Sequence, residues 1–314
     1  MVTKNIDNKE IDKNMKKFID YFDFSAERVF QGGHRVINKV KHEISRYLVK
    51  IRKWEMGVRN SKGQPCVIVS LTSYPKRFSK LDLCIKSLCL QSVKPDRIIL
   101  WLGNDSSDDE LNDLSRKFAK YGLEIQRDAE KNLYSHKKYY YAMQQFADDI
   151  IVTADDDLIY PRNWLKSLLE EYKAYPDCIC ARRVHEIVWN TDGTPARYVE
   201  WKGEAEVTEP SHNLLATTGA GTLFPPHCFA SQCFVEEVFM EKAMTADDIW
   251  LKIMAVVSGR KVVWVPNKMQ MPTTVDVNQT ERLENVNCDG GGNDKIFMTL
   301  LHHFNLNYDH FMKN

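Results

Sequence analysis

From Cys66 onward the chain alternates short apolar, β-branched runs with longer amphipathic stretches. Cys66–Leu71 (CVIVSL), Arg97–Leu102, Leu123–Gln126 and Asp149–Thr153 read as strands. Helical periodicity over Leu81–Gln91, Glu110–Tyr121 and Lys137–Phe146 fills the intervals between them. Buried-type strands joined by helices predict an α/β domain with a mostly parallel, doubly wound (Rossmann-like) sheet. Such sheets bind ligands beyond the carboxyl ends of their strands, so the loops after the strands are where chemistry is expected. The second half is less regular, with strand candidates at Cys178–Arg182, Glu186–Trp189, Thr222–Phe224 and Lys261–Val265. A turn at Asn190–Gly193 and a loop around Gly219–Gly221 interrupt them.

Before Ser61–Pro65 the pattern is helical, which predicts an N-terminal helical extension over residues 1–60 and an α/β domain over 61–314. Ile37, Val40, Ile44, Leu48 and Ile51 recur at three- and four-residue steps and form one helix face. Between Arg35 and Arg59 eight Lys or Arg stand against two Glu, so the rest of that helix is basic. A basic amphipathic helix suits an anionic membrane surface, and packing on the main domain or on a second copy of the chain is the plainer reading.

Composition changes this picture little. Forty-three basic side chains balance 43 acidic ones in 314 residues, which gives no reason to expect a nucleic-acid partner. The eight cysteines sit mostly in apolar runs without a CxxC pair, as buried thiols of a reducing compartment would. Met1–Lys17 is polar and charged, and nowhere do about eighteen apolar residues run together. The expectation is a cytoplasmic protein, with peripheral contact at the inner face of the cell membrane as an option for the basic helix.

The candidate chemistry begins at the end of the fourth strand, in Asp155-Asp156-Asp157. In extended backbone Asp155 and Asp157 share a face and Asp156 points opposite. Adjacent carboxylates repel unless a cation or hydrogen-bond donors compensate, and a hard divalent ion, Mn²⁺ or Mg²⁺, suits oxygen ligands shared with a substrate diphosphate. The competing reading is that the triplet caps a helix over Pro161–Tyr172.

The run Ile151–Pro161 (IVTADDDLIYP) resembles the DXD segment of GT-A type glycosyltransferases, particularly bacterial enzymes of capsule and O-antigen polysaccharide synthesis. Val69–Arg77 (VSLTSYPKR), Tyr134–Tyr139 (YSHKKY) and Thr245–Leu251 (TADDIWL) are similar to further segments of that family, in its order. The resemblance implies a GT-A fold and hexosyl transfer from a nucleotide sugar, UDP-linked, to a saccharide or lipid-linked oligosaccharide acceptor. It further implies donor-binding roles for Thr72, Ser73, Tyr74, Arg77, Lys137, Lys138 and Asp156, and metal-binding roles for Asp155 and Asp157. Asp247 and Asp248 resemble the acidic pair that carries the catalytic base of inverting members, with Asp248 in the aspartate position. Asp stands where Glu is usual at the first position, which leaves the choice between the two open. Thr245 and Asp248 also fit a capping pair at the start of a helix over Ile249–Val257. The small residues of Gly219–Pro226 would let backbone approach the sugar. His302 and His303 fall late enough to be compared with a C-terminal metal ligand, although a helical face over Lys295–Phe304 explains them without that role.

Two other functions compete. A sugar-nucleotide pyrophosphorylase should carry a glycine-rich loop after the first strand, and Thr72–Arg77 has no glycine. A non-catalytic carbohydrate-binding or scaffold protein on the same fold should have lost the triplet or the acidic pair, and both are present.

Overall fold

The computed structural model describes residues 34–61, 63–266, 271–275 and 291–313. Helix α1 (His34–Ile51) precedes β1 (Val67–Thr72), α2 (Leu81–Cys89), β2 (Arg97–Leu102), α3 (Asp108–Phe118), β3 (Leu123–Arg127), α4 (Lys137–Gln145) and β4 (Ile150–Asp155). Then come β5 (Leu158–Ile159), α5 (Trp164–Ala174), β6 (Ile179–Ala181), β7 (Val184–Glu186), β8 (Leu214–Ala216) and β9 (Thr222–Phe224). The chain continues through α6 (Glu236–Lys242), α7 (Asp247–Val257), β10 (Val262–Trp264), β11 (Thr273–Thr274), α8 (Gly292–His303) and α9 (Tyr308–Met312).

Seven strands form the central sheet in the order β10-β6-β9-β4-β1-β2-β3. Neighbours pair in parallel except β9, which runs antiparallel to both β4 and β6. The mostly parallel α/β sheet predicted from the apolar runs is therefore present, with one reversed strand that periodicity does not reveal. Small antiparallel pairs β5/β11 and β7/β8 flank it.

Both faces of the sheet are buried, and strand parity assigns each residue to one of them. Ile68, Ile99 and Ile151 pack with Tyr139, Ala142 and Met143 of α4 and with the apolar residues of α7 and α8. Val69, Leu71, Leu100, Val152 and Ala154 face the other way, onto α2, α3 and α5. The same parity runs on past the strand ends. It delivers Asp155 to the α4 side and Asp156 to the side of Ser73 and Arg77, and it stops there: Asp157, expected on the face of Asp155, lies in the turn after the strand and meets the same Arg77 Nη1 as Asp156, at 3.2 Å.

The N-terminal helix departs from its expected face. Val49 is the buried residue, while Ile44 and Leu48 are half-buried and Ile51 is exposed. The side chains of Ile37 and Val40 lie outside the described residues. The Lys86 ammonium on α2 caps this end of α1, donating to the Lys50 carbonyl at 3.0 Å. Beyond it the chain is tied to the sheet domain before residue 60: Gly57 N–H donates to the Tyr121 carbonyl at 2.7 Å, and Arg59 pairs with buried Asp96.

Elsewhere β7 occupies Val184–Glu186 rather than Glu186–Trp189, because Trp189 bridges Pro195 across the expected Asn190–Gly193 turn. Helix α5 starts at Trp164 behind Asn163, too late for the acidic triplet to cap it. The described cysteines are free thiols, mostly buried, and Cys288 lies outside the described residues. His302 and His303 are exposed in the last turn of α8. Among the described residues no helix is long and apolar enough to cross a membrane.

Candidate active site

The site is assembled where β1 and β4 end, from three groups of side chains. The first is locked. Asp156, with 5% of its side chain exposed, accepts from Ser73 Oγ at 2.5 Å and from Arg77 Nη1 at 2.6 Å. Arg77 comes from the 3₁₀ turn Pro75–Lys80 that follows β1, and its guanidinium lies 5.3 Å from the Tyr74 ring centre. Burial pushes the Asp156 carboxyl up, against the pull of Arg77 and Ser73. A buried carboxylate without such partners would cost several kcal/mol, which explains why a serine and an arginine occupy this loop. The neighbouring Thr72 hydroxyl donates to the Trp101 carbonyl at 2.9 Å, and Tyr74 is exposed.

The second group is open. Asp157 keeps 29% of its side chain exposed and has Arg77 at 3.2 Å; Asp155 keeps 37%. Burial first, and the Asp155 charge second, push the Asp157 carboxyl up to about 6 in spite of Arg77. The pair thus carries more negative charge than its surroundings balance, and all its donor atoms are carboxylate oxygens, which fits a hard divalent cation. Among the described residues no three His, Cys, Asp or Glu side chains converge on one point. An ion here would take two carboxylates from the protein and complete its shell from phosphate and water.

The third group is the acidic pair at the start of α7. Its N-cap is Ala246, without a side-chain cap bond, so the expected Thr245/Asp248 capping pair does not form. Asp248 turns instead to Thr218, accepting from its N–H at 2.9 Å and its Oγ1 at 2.5 Å. Asp247 is buried and lies 3.0 Å from the Lys138 ammonium. Burial would raise the Asp247 carboxyl, but Lys138 and the His136 ring bring it well below the usual carboxylate range. Asp248 goes the other way: burial and the Asp247 charge push it up to about 6.

Lys138 joins the groups. Its side chain is 4% exposed, and its ammonium donates to Asp155 Oδ1 at 2.7 Å as well as pairing with Asp247. The charge that the resemblance assigned to donor binding is here taken up by two carboxylates. Lys137 is also buried; its ammonium donates to Asn132 Oδ1, and burial pulls it down to about 8.

The loop between β8 and β9 stitches triplet to pair. A Cβ on Gly219 would sit 2.0 Å from Asp155 Oδ2, so only glycine allows this approach. Gly221 has φ +111°, and a Cβ there would lie 2.1 Å from Trp164 Nε1. Tyr160 OH accepts from the Asp155 N–H at 2.7 Å and donates to the Gly219 carbonyl at 2.8 Å, and Trp164 Nε1 donates to the Ala220 carbonyl at 3.0 Å. The sequence marked these glycines for the approach of backbone to a sugar, and in the structure it is the Asp155 and Trp164 side chains that come close to them. Thr218, Tyr160 and Asn132 carried no signal, since each gains its role only from a partner far along the chain.

A family model described as glycosyl transferase family 2 matches residues 66–234, more than half of the chain and the whole segment from the start of the sheet past the triplet to β9. The chain belongs to glycosyl transferase family 2. It is accordingly a GT-A type glycosyltransferase that uses a nucleotide-sugar donor, as the motif resemblance implied. Among solved structures, this family 2 enzyme is similar to S. aureus TarS residues 1–349 in complex with UDP, at 16% identity and TM-score 0.44, covering 77% of this chain and 72% of that one. It is similar also to the same TarS fragment in complex with UDP-GlcNAc, at 13% identity and TM-score 0.44, covering 76% and 73% of the two chains. Full-length TarS shows 16% identity and TM-score 0.44 over 76% of this chain and 44% of its own. Among curated proteins, none matches the chain in sequence.

Proposed function

We propose that this glycosyltransferase is a metal-dependent, inverting enzyme that moves a sugar from a UDP-sugar to a saccharide acceptor, with Asp248 as general base. The observation that carries the proposal is the contrast within the acidic pair. Asp247 is buried against an ammonium, whereas Asp248 is partly exposed, anchored by Thr218 and raised to about 6. A base with a pKa near the working pH combines a large ionised fraction with useful basicity. Asp248 takes the proton of the acceptor hydroxyl while that oxygen attacks the anomeric carbon. The bond from that carbon to the diphosphate breaks on the opposite face, and the nucleotide departs with the electron pair.

On the donor side, Ser73, Arg77 and Asp156 form a rigid floor, and Thr72, Tyr74 and Lys137 lie around it as candidates for nucleotide contact. Asp155 and Asp157 would hold Mn²⁺ or Mg²⁺, which stabilises charge on the leaving phosphate. Transfer from a UDP-sugar in Mn²⁺ should fall to background in EDTA and return on adding metal back. Full activity in EDTA would remove the metal from this reading.

The acceptor is proposed to be a lipid-linked saccharide of bacterial surface polysaccharide, capsule included, reached from the cytoplasmic face. The support is at the end of α1, where exposed Tyr47 and Ile51, with Met56 just beyond, stand beside exposed Lys50 and Lys53. An apolar strip edged by lysines suits an anionic bilayer. The full chain should float with phosphatidylglycerol vesicles and lose most of that binding in the Lys50→Glu/Lys53→Glu variant; equal flotation would dismiss the membrane contact.

A further inference from the structure

Lys138 is held where an ammonium is least at home. It lies in the first turn of α4, at the positive end of a helix, next to Lys137 and after His136. Its backbone is pinned: the Lys138 carbonyl accepts from Ser70 Oγ, which in turn accepts from Trp101 Nε1 at 2.8 Å. Burying an ammonium costs several kcal/mol unless anions meet it, and here two do, from different elements. Asp155 ends β4 and Asp247 opens α7, so one cation spans the donor side and the acceptor side.

The division of partners in the acidic pair is unequal. Thr218 Oγ1 lies 2.5 Å from Asp248 and 3.1 Å from Asp247, and its single proton serves the shorter contact. Asp247 is therefore compensated chiefly by Lys138, with the His136 ring beside it, and among the described residues Asp248 has hydrogen bonds from Thr218 and no ion pair. We propose that Lys138 is a positioning residue: by neutralising Asp247 and tying it to Asp155, it fixes Asp248 as the carboxylate that accepts the proton. This rests on the reading of Asp248 as base and adds what selects it. Among the described residues, the charged groups facing Asp248 are Asp247 on its own helix and Lys138 on α4, with His136 facing Asp247.

The test is the pH dependence of kcat/KM for transfer by the full chain. The wild type should rise with pH through an apparent pKa near 6. Lys138→Met should move that limb up by roughly one unit or more, giving about a tenfold loss near pH 6 that is largely recovered by pH 9. Lys138→Arg should keep the limb in place. Asp247→Asn should move it down, and the double variant should fall between the two singles. A loss in Lys138→Met that is uniform across pH would overturn the proposal. So would a weaker Kd for UDP-sugar with the limb unmoved, which would make Lys138 a donor ligand. If Lys138→Met does not fold, Asp247→Asn decides alone, and an unmoved limb there is a refutation. Asp248→Asn separates the two claims. A limb that survives in it overturns the base reading and this proposal together, whereas a limb lost there but unmoved in the other variants overturns only the role of Lys138.

Discussion

The acidic triplet and the acidic pair solve one electrostatic problem in two ways. In each, one aspartate is buried and neutralised by a cationic side chain: Asp156 by Arg77, Asp247 by Lys138. In each, a neighbour is left raised to about 6, Asp157 in the triplet and Asp248 in the pair. The difference lies in what surrounds that neighbour. Asp157 faces Asp155, a partly exposed carboxylate that shares its Lys138 partner with Asp247, and the negative charge left over on this open side suits a cation arriving with the substrate. Asp248 faces a buried carboxylate that is ion-paired with Lys138, and its own oxygen is fixed by Thr218. In the proposed reaction Asp248 takes the proton of the acceptor hydroxyl. Similar pKa values thus serve different chemistry, because a pKa reports the local charge balance and leaves open how the imbalance is relieved.

The comparison is broken most directly by exchanging the two raised carboxylates for amides. Asp248→Asn should lower transfer by about 10²–10⁴-fold, the usual worth of a general base, while leaving the Kd for UDP-sugar with Mn²⁺ unchanged. Asp157→Asn should lower transfer by about 10²-fold, weaken donor binding in Mn²⁺, and regain part of its activity at higher metal concentration. Isothermal titration of each variant with UDP, with and without Mn²⁺, separates the two. Equal weakening of donor binding in both would mean that triplet and pair form one ligand set.

How much of this was legible beforehand differs between the same two regions. The triplet stands at the end of β4, whose β-branched residues are buried on both faces, and strand parity alone told which way Asp155 and Asp156 point. Arg97–Leu102 and Thr222–Phe224 were readable to the residue for the same reason. The pair was readable only as a motif. A local rule predicted that Thr245 and Asp248 cap α7, and a contact 30 residues away prevailed: Thr218 claims Asp248. Lys138 shows the same limit. The motif resemblance pairs it with Lys137 as a donor-binding residue, and only the approach of β4 and α7 makes it a buried bridge. The reversed direction of β9 and the face on which α1 packs are likewise set by partners that no periodicity records.

The smallest effect expected concerns stability, and it sharpens the contrast because it asks whether Asp248 is strained in the resting enzyme. A carboxyl raised from its ordinary 3.8 to about 6 binds more protons in the folded state than in the unfolded one between those values. Stability should therefore fall as pH rises from about 4 through 6 and stay at the lower level above. Asp248→Asn removes this loss while its amide oxygen can still accept from Thr218. A shift of that size corresponds to roughly 3 kcal/mol at one pKa unit per 1.4 kcal/mol, and the open side of the site and imperfect replacement of the Thr218 bonds reduce the net gain to about 1 kcal/mol. For a chain of this length that is a rise in Tm of about 2 °C at pH 8, with none at pH 4. Asp247→Asn should act oppositely at pH 8, since it deprives buried Lys138 of one of its two carboxylates. Thermal melts of the three proteins at both pH values measure this directly, and a gain in Asp248→Asn that is the same at pH 4 as at pH 8 would show that Asp248 carries no strained charge.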